Sequence, residues 1–168
     1  FLDPDDYTAT NGTSIVLDDG AKSSDYLEVI SLGGTTASKL TSIAQFEFTA
    51  TANQTVLTGA DENSNTLSYT PGKILVFLNG VLMDNRSGTD YTETNASTIT
   101  FSSGLQVNDT VVIKSYTGSQ PFLRYQYDIT AASTSNISGT DANGTNLSII
   151  PKYTEVFVNG VLVKKGQW

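Results

Sequence analysis

Acidic and amide side chains at alternate positions of one short loop are the first candidates for chemistry in this sequence. Asp61, Asn63 and Asn65 place oxygen atoms at the spacing that calcium loops use, and residues 141–145 repeat the pattern in part. An EF-hand loop also needs a glutamate at its twelfth position and flanking helices, and neither is evident. Because Asp and Asn are ordinary turn formers, the pattern favours a solvated loop. Calcium is the one cofactor left open, with these three residues as candidate ligands.

The composition removes most catalytic chemistry. The chain contains neither Cys nor His, so it lacks cysteine nucleophiles, thiolate zinc ligands and the commonest general base. Glycoside hydrolysis needs only a pair of carboxylates. The glutamates that could supply one are Glu28, Glu47, Glu62, Glu93 and Glu155. No pair among them has a motif, and Glu47 falls at an outward position of an alternating strand. We therefore expect a protein that is not an enzyme.

The charge balance excludes further kinds of partner. Nine basic against 17 acidic residues give a net charge of -8, which is the wrong sign for a nucleic-acid surface. The longest apolar run, residues 74–78, is too short to span a membrane. An acidic cluster near the start consists of Asp3, Asp5, Asp6, Asp18 and Asp19. A second ion site is conceivable there, but the simpler explanation of the cluster is that charged turns keep a sheet soluble.

Aromatic side chains could form a glycan-binding face, because sugar rings stack on aromatic rings. The candidates are Tyr7, Tyr69, Tyr91, Tyr116, Tyr125, Tyr127, Tyr153 and Trp168. Tyr7 and Tyr91, however, occupy equivalent positions in successive copies of a repeat. Equivalence favours packing, with the ring buried and the hydroxyl bonded to the backbone.

The elements that must position these residues repeat along the chain. Residues 67–82 (LSYTPGKILVFLNGVL) match residues 147–162 (LSIIPKYTEVFVNGVL) at a spacing of 80, and residues 6–27 match residues 90–111 at a spacing of 84. Assembled, one complete repeat runs over 46–117. The C-terminal part of a first repeat (1–36) precedes it, and the N-terminal part of a third (124–168) follows. Residues 37–45 and 118–123 are the expected linkers, since the periodic pattern lapses from Gly33-Gly34 before the complete repeat and at Gly118 and Pro121 after it.

Each repeat has the pattern of a small antiparallel β domain. Phe46-Glu47-Phe48-Thr49 and Thr98-Ile99-Thr100-Phe101 alternate with period two. Asn79-Gly80 and Asn159-Gly160 each lie between apolar runs, which predicts two-residue hairpin turns. We expect an all-β fold of tandem antiparallel β-sandwich repeats, each about 80 residues long and of immunoglobulin-like size. Closure into a barrel is the alternative, whereas a parallel β-helix would show a shorter period.

The terminal repeats are incomplete, so each is expected to leave strands unpaired. The chain also starts without an initiator Met or a signal peptide. These features predict an excerpt from a longer array. Domains of this size bury only about 60% of their unfolded surface. Since disulfides are absent, we expect contacts with neighbouring repeats or with other copies to supplement each core.

The repeat resembles beads found in fibre and other tail-associated structural proteins of tailed bacteriophages, especially those of marine cyanobacteria. The most specific segments are VFLNGVL at 76–82 and Asp90-Tyr91-Thr92. The resemblance covers essentially the whole chain, although the third copy ends before any Asp-Tyr-Thr. It implies an elongated, commonly trimeric virion component, extracellular after release, with no catalytic residues to carry over. Tail fibres, head fibres and baseplate attachments are all compatible with it.

The leading hypothesis is a non-enzymatic structural component of a phage virion, part of a fibre or fibre-like appendage that spaces or attaches a host-recognition element. Its expected partners are further copies in a trimer, other tail, baseplate or capsid proteins, and a host surface glycan. The alternative is a glycan-binding module of a phage or bacterial surface adhesin, with exposed Tyr or Trp as the contact. A polysaccharide depolymerase is the least supported interpretation.

Overall fold

The computed structural model describes residues 7–9, 11–32, 42–86, 89–117 and 122–163. The strands in chain order are β1 (Tyr7–Thr8), β2 (Ser14–Ala21), β3 (Tyr26–Leu32), β4 (Ser42–Thr49), β5 (Gln54–Thr58), β6 (Ile74–Leu78), β7 (Val81–Leu82), β8 (Tyr91–Asn95), β9 (Thr98–Leu105), β10 (Thr110–Thr117), β11 (Phe122–Asp128), β12 (Thr134–Ser138), β13 (Thr154–Val158) and β14 (Val161–Val163). A short 3-10 helix, Pro151–Tyr153, precedes β13. The fold is all-β, with several small antiparallel sheets. Within the described ranges, no helix is long and apolar enough to cross a membrane.

The chain divides into two compact units. Lys39–Ser119 forms the first, here called the central unit. The second, the composite unit, combines Phe1–Ser38 with Gln120–Trp168. We call these two parts its N-terminal segment and its C-terminal segment. The composite unit is therefore built from opposite ends of the chain.

Two sheets make up the central unit. Strand β10 lies between β4 and β6, with β7 at the edge, and β9 lies between β5 and β8. In register, Ile113 of β10 is opposite Phe46 on one side and Val76 on the other. Buried side chains from both sheets form one hydrophobic core, among them Phe46, Phe48, Leu57, Val76, Tyr91, Ile99, Phe101 and Ile113.

The composite unit repeats this arrangement strand for strand. Strand β3 lies between β11 and β13, with β14 at the edge, and β2 lies between β12 and β1. Val29 is opposite Tyr125 and Val156, as Ile113 is opposite Phe46 and Val76. The core takes Tyr7, Ile15, Leu27 and Val29 from the N-terminal segment and Tyr125, Ile137, Leu147 and Val156 from the C-terminal segment. Topologically, the composite unit is a circular permutation of the central unit.

Local sequence explains the individual strands. In β9, Ile99 and Phe101 are buried while Thr98 and Thr100 are partly exposed, as period-two alternation requires. Each of these two apolar side chains contributes about 1.5–3 kcal/mol on burial. Asn79 and Gly80 connect β6 to β7 with φ angles of 50° and 84°. Such left-handed conformations suit a hairpin turn of Asn and Gly, and Asn159-Gly160 has φ angles of 50° and 75° between β13 and β14.

The structure differs from the sequence-based expectation at the ends of the repeats. Strands β4 and β11 begin at Ser42 and Phe122, inside the expected linkers 37–45 and 118–123, because each continues a ladder: Ser42 is opposite Thr117, and Phe122 is opposite Leu32. The rest of these linkers, 37–41 and 118–121, lies outside the described residues. The expectation that the terminal halves leave strands unpaired is wrong for this chain, because they pair with each other.

Candidate functional site

The calcium candidate Asp61 organises its loop through hydrogen bonds. Its Oδ1 accepts from the backbone amides of Asn63 at 2.9 Å and Asn65 at 2.7 Å, and its Oδ2 accepts from the amide of Glu47 at 3.3 Å. Burial by itself raises the pKa of Asp61, but the hydrogen bonds from Asn65, Glu47 and Asn63 outweigh it, and the pKa lies below its usual value. The ionised carboxylate is therefore the form that fixes the loop against β4.

The composite unit contains the same loop geometry. Asp141 accepts from the amides of Asn143 at 3.0 Å and Thr145 at 2.8 Å through Oδ1, and from the amide of Gln126 at 3.2 Å through Oδ2. Both oxygens of each Asp thus accept from N–H donors, which is the role of a turn-forming Asp. Within the described part of the chain, no group of three or more acidic residues could hold a metal ion.

Of the remaining acidic candidates, Glu47 and Glu62 are neighbours, because the Glu62 amide donates to the carbonyl oxygen of Glu47 at 2.9 Å. Glu47 accepts a hydrogen bond from Gln45, Glu62 from Thr49, and Glu93 from the amide of Gly72. Glu155 is exposed on β13, and Glu28 is fully buried on β3. Asp18 and Asp19 are exposed, while Asp3, Asp5 and Asp6 lie outside the described residues.

The tyrosines are used mainly in the cores. Tyr7, Tyr69, Tyr91, Tyr116, Tyr125 and Tyr127 are all buried. The Tyr7 hydroxyl donates to the carbonyl oxygen of Thr154 at 2.9 Å, and the Tyr69 hydroxyl to that of Thr98 at 2.6 Å. The packing interpretation of Tyr7 and Tyr91 is confirmed for both rings, and for the hydroxyl of Tyr7. Tyr153 is 52% exposed, and Trp168 lies outside the described residues.

The contacts that sequence analysis missed join the two segments of the composite unit. Glu28 in the N-terminal segment forms an ion pair with Arg124 in the C-terminal segment, and Arg124 Nη2 donates to Glu28 Oε2 at 3.0 Å. The Tyr26 hydroxyl also donates to Glu28 Oε2, at 2.6 Å, and Gln126 Nε2 donates to the Tyr26 hydroxyl at 2.6 Å. This buried polar network crosses the junction between the segments.

The alignment of the repeats contains a signal for this network. Glu28 occupies the position that Val112 holds in the central unit, and Arg124 occupies that of Gln45. A carboxylate and a guanidinium replace one apolar and one neutral side chain on neighbouring strands. Such paired changes indicate charges that meet each other, because an unpaired buried charge is costly. The junction between the segments is therefore the most distinctive site of the molecule.

Comparison of the chain with models of protein families, with curated proteins and with solved structures finds no match.

Proposed function

We propose that this chain is a non-enzymatic structural component of a phage virion, a segment of a fibre or fibre-like tail or baseplate appendage. In this role it spaces or attaches the element that recognises the host. The resemblance of 76–82 and 90–92 to fibre beads suggests the setting. The observation that carries the proposal is the recurrence of one seven-stranded arrangement twice in the chain.

Repetition of one small unit is typical of proteins whose function is geometric. We place each unit among antiparallel β-sandwiches of immunoglobulin-like size, because two small sheets share one core. Its carboxylates and tyrosines support the same role. Asp61 and Asp141 hold loops, and the buried tyrosines pack in the cores. These side chains are accordingly assigned to structure rather than to chemistry.

The function is mechanical in this proposal. Each unit contributes a rigid element, and contacts with other copies in a trimer and with tail, baseplate or capsid proteins supply further stiffness. The alternative, a glycan-binding adhesin module, has less support because its aromatic candidates are mostly buried. Among the described ones only Tyr153 is half exposed, and one exposed ring does not make a stacking face.

The direct experiment is to label intact particles with an antibody raised against this chain and to image them. Label on a fibre or another tail or baseplate appendage is the expected result, and absence from purified particles would contradict the proposal. A glycan array with the whole chain tests the alternative. Binding that is lost in Tyr153→Ala, with the fold intact, would favour the adhesin module instead.

A further inference from the structure

The composite unit is held together by contacts between its two segments. Strand β3 of the N-terminal segment has β11 on one side and β13 on the other, and β2 pairs with β12. All three partner strands belong to the C-terminal segment. Without them, β3 would present both of its edges, and Leu27 and Val29 would lose the side chains that bury them. Each segment therefore needs the other.

The C-terminal segment of a second copy of the chain could provide the same three partner strands. The strand pairs and the core contacts are identical whether the C-terminal segment comes from the same chain or from another one. Exchange of an identical element between copies adds no new contact and so has a low energetic cost. The central unit needs no separate segment to complete it, because its seven strands are contiguous within Lys39–Ser119.

The N-terminal and C-terminal segments of the composite unit carry different charged residues from the equivalent strands of the central unit. On β3, Glu28 is opposite Gln126 and pairs with the nearby Arg124, which is itself opposite Ile30. In the central unit, the strand equivalent to β3 is β10. There Val112 is opposite Glu47, and Lys114 is opposite Gln45.

Mixed pairings would bring like charges into register. If the N-terminal segment paired with β4 of the central unit, Glu28 would be opposite Glu47. If β10 paired with the C-terminal segment, Lys114 would be opposite Arg124. Like charges directly opposite each other on neighbouring strands are destabilising, and Glu28 would also lose its arginine in a buried position. The pattern therefore opposes both mixed pairings.

We infer that two copies of this chain associate by exchanging terminal segments, so that the N-terminal segment of one copy completes a composite unit with the C-terminal segment of the other. The charges at Glu28, Arg124, Glu47 and Lys114 direct the exchange to this pairing. The inference rests on the strand pairing of the composite unit and on the charges of both units, and it does not depend on the proposed function.

A pair of engineered cysteines tests the exchange. Val16 on β2 and Asn136 on β12 are opposite each other and exposed, and the natural chain has no Cys. Cross-strand partners lie close to disulfide distance. Val16→Cys is made in one copy and Asn136→Cys in another copy that carries a size tag. The two proteins are unfolded, refolded together at high concentration and oxidised, and the disulfide-linked pairs are counted on a non-reducing gel.

The matched control uses the equivalent pair in the central unit, Val56→Cys and Thr100→Cys in separate copies, which are opposite each other in the same way. Exchange predicts a ratio of mixed to like pairs about tenfold or more above that of the control, because the paired cysteines are held together in the exchanged unit. Equal ratios in the two mixtures would overturn the proposal.

The unmodified chain provides a second measurement, free of any effect of the substitutions on folding. After refolding at high concentration it should sediment as dimers or larger species, and after refolding at low concentration as monomers. Monomers alone under both conditions would also overturn the proposal.

The role of the charges has its own test. A copy with Val16→Cys is mixed with a copy with Val56→Cys. A disulfide between these two copies reports pairing of β2 with β5, which is the mixed pairing of the N-terminal segment with the central unit. Adding Gln45→Arg and Glu47→Gln to the second copy gives its β4 the side chains of Arg124 and Gln126. Cross-linking should then rise several-fold over the mixture without these changes. An unchanged yield would show that these charges do not direct the pairing.

Discussion

Asn159 Nδ2 donates a hydrogen bond to Asp25 Oδ1 at 2.9 Å, although the two residues are 134 positions apart in the chain. The same bond joins Asn79 to Asp109 at 2.8 Å, across 30 positions. Each Asn also accepts from the amide that follows its Asp, namely Tyr26 at 2.8 Å and Thr110 at 2.9 Å. One hairpin turn is thus anchored in the same way in both units, once within a contiguous segment and once between the two ends of the chain.

This anchor predicts a loss of stability in acid. The hydrogen bond from Asn159, and then that from the Lys22 amide, hold the pKa of Asp25 below its usual value. The pKa of Asp109 is lowered in the same way by Asn79 and by the Gln106 amide. Groups with a lowered folded pKa stabilise the protein above the unfolded pKa of about 4, and that stability is lost as the pH falls through the folded pKa.

Asp25→Asn and Asp109→Asn should therefore lower the melting temperature at neutral pH and reduce its fall in acid, because neither variant has the carboxylate that titrates. Thermal unfolding followed by circular dichroism between pH 7 and pH 2 measures both effects. Asp18→Asn, at an exposed position, is the control. If the two anchor variants kept the full acid dependence of the parent, the contribution assigned to these carboxylates would be wrong.

Tyr7→Phe should destabilise the composite unit by about 1–2 kcal/mol, because it removes a buried hydrogen bond between the two segments. Urea denaturation measures the change, and hydrogen exchange in β3 and β10 assigns it to one unit. Tyr153→Phe, at an exposed position, should cost less than Tyr7→Phe. Protection lost in β10 rather than in β3 would contradict the assignment.

The same tyrosine predicts a loss of stability in alkali. Burial, and then the charge of Glu155, raise the pKa of Tyr7 to about 12. The unfolded chain ionises its tyrosines near pH 10, so this contribution is complete below pH 10 and is lost as the pH rises toward 12. Melting temperatures over this range should fall less steeply in Tyr7→Phe than in the parent. Parallel curves would show that Tyr7 does not contribute.

Gly20→Ala should destabilise the composite unit by about 1–3 kcal/mol through overpacking. A Cβ atom at Gly20 would lie 2.6 Å from the carbonyl carbon of Ser133, which belongs to the other segment. The equivalent Gly104 is less constrained, since a Cβ there would lie 3.0 Å from the Cα of Asn53. Gly104→Ala is therefore the matched control and should cost less in urea denaturation. The reverse order would contradict the close approach of the two segments.

Much of the fold could be predicted from the sequence, because its signals are local. Period-two alternation marks β9, the Asn-Gly dipeptides mark two hairpins, and the repeats give the equivalence of Tyr7 and Tyr91. Pairing between the chain ends could not be predicted in this way. Glu28 and Arg124 are 96 positions apart. No local sequence pattern indicates that the two incomplete terminal repeats pair with each other. The missed evidence was the paired change from Val112 and Gln45 to Glu28 and Arg124.

Calcium should leave the melting temperature unchanged, because the Asp61 oxygens already accept hydrogen bonds from backbone amides. Asp61→Ala should lower the melting temperature, since those amides lose their acceptor, and Asp141→Ala should do the same in the composite unit. Differential scanning calorimetry with and without calcium checks all three proteins. If calcium raised the melting temperature of the parent but not that of Asp61→Ala, Asp61 would be a calcium ligand and this prediction would be wrong.

The two chain ends pair into a second copy of the central fold. Nuclear Overhauser contacts across the strands measure this directly in the unmodified chain. Val29 should show contacts to Tyr125 and Val156, matching those of Ile113 to Phe46 and Val76. If the contacts of Ile113 were present while those of Val29 were absent, the composite unit would not exist in solution.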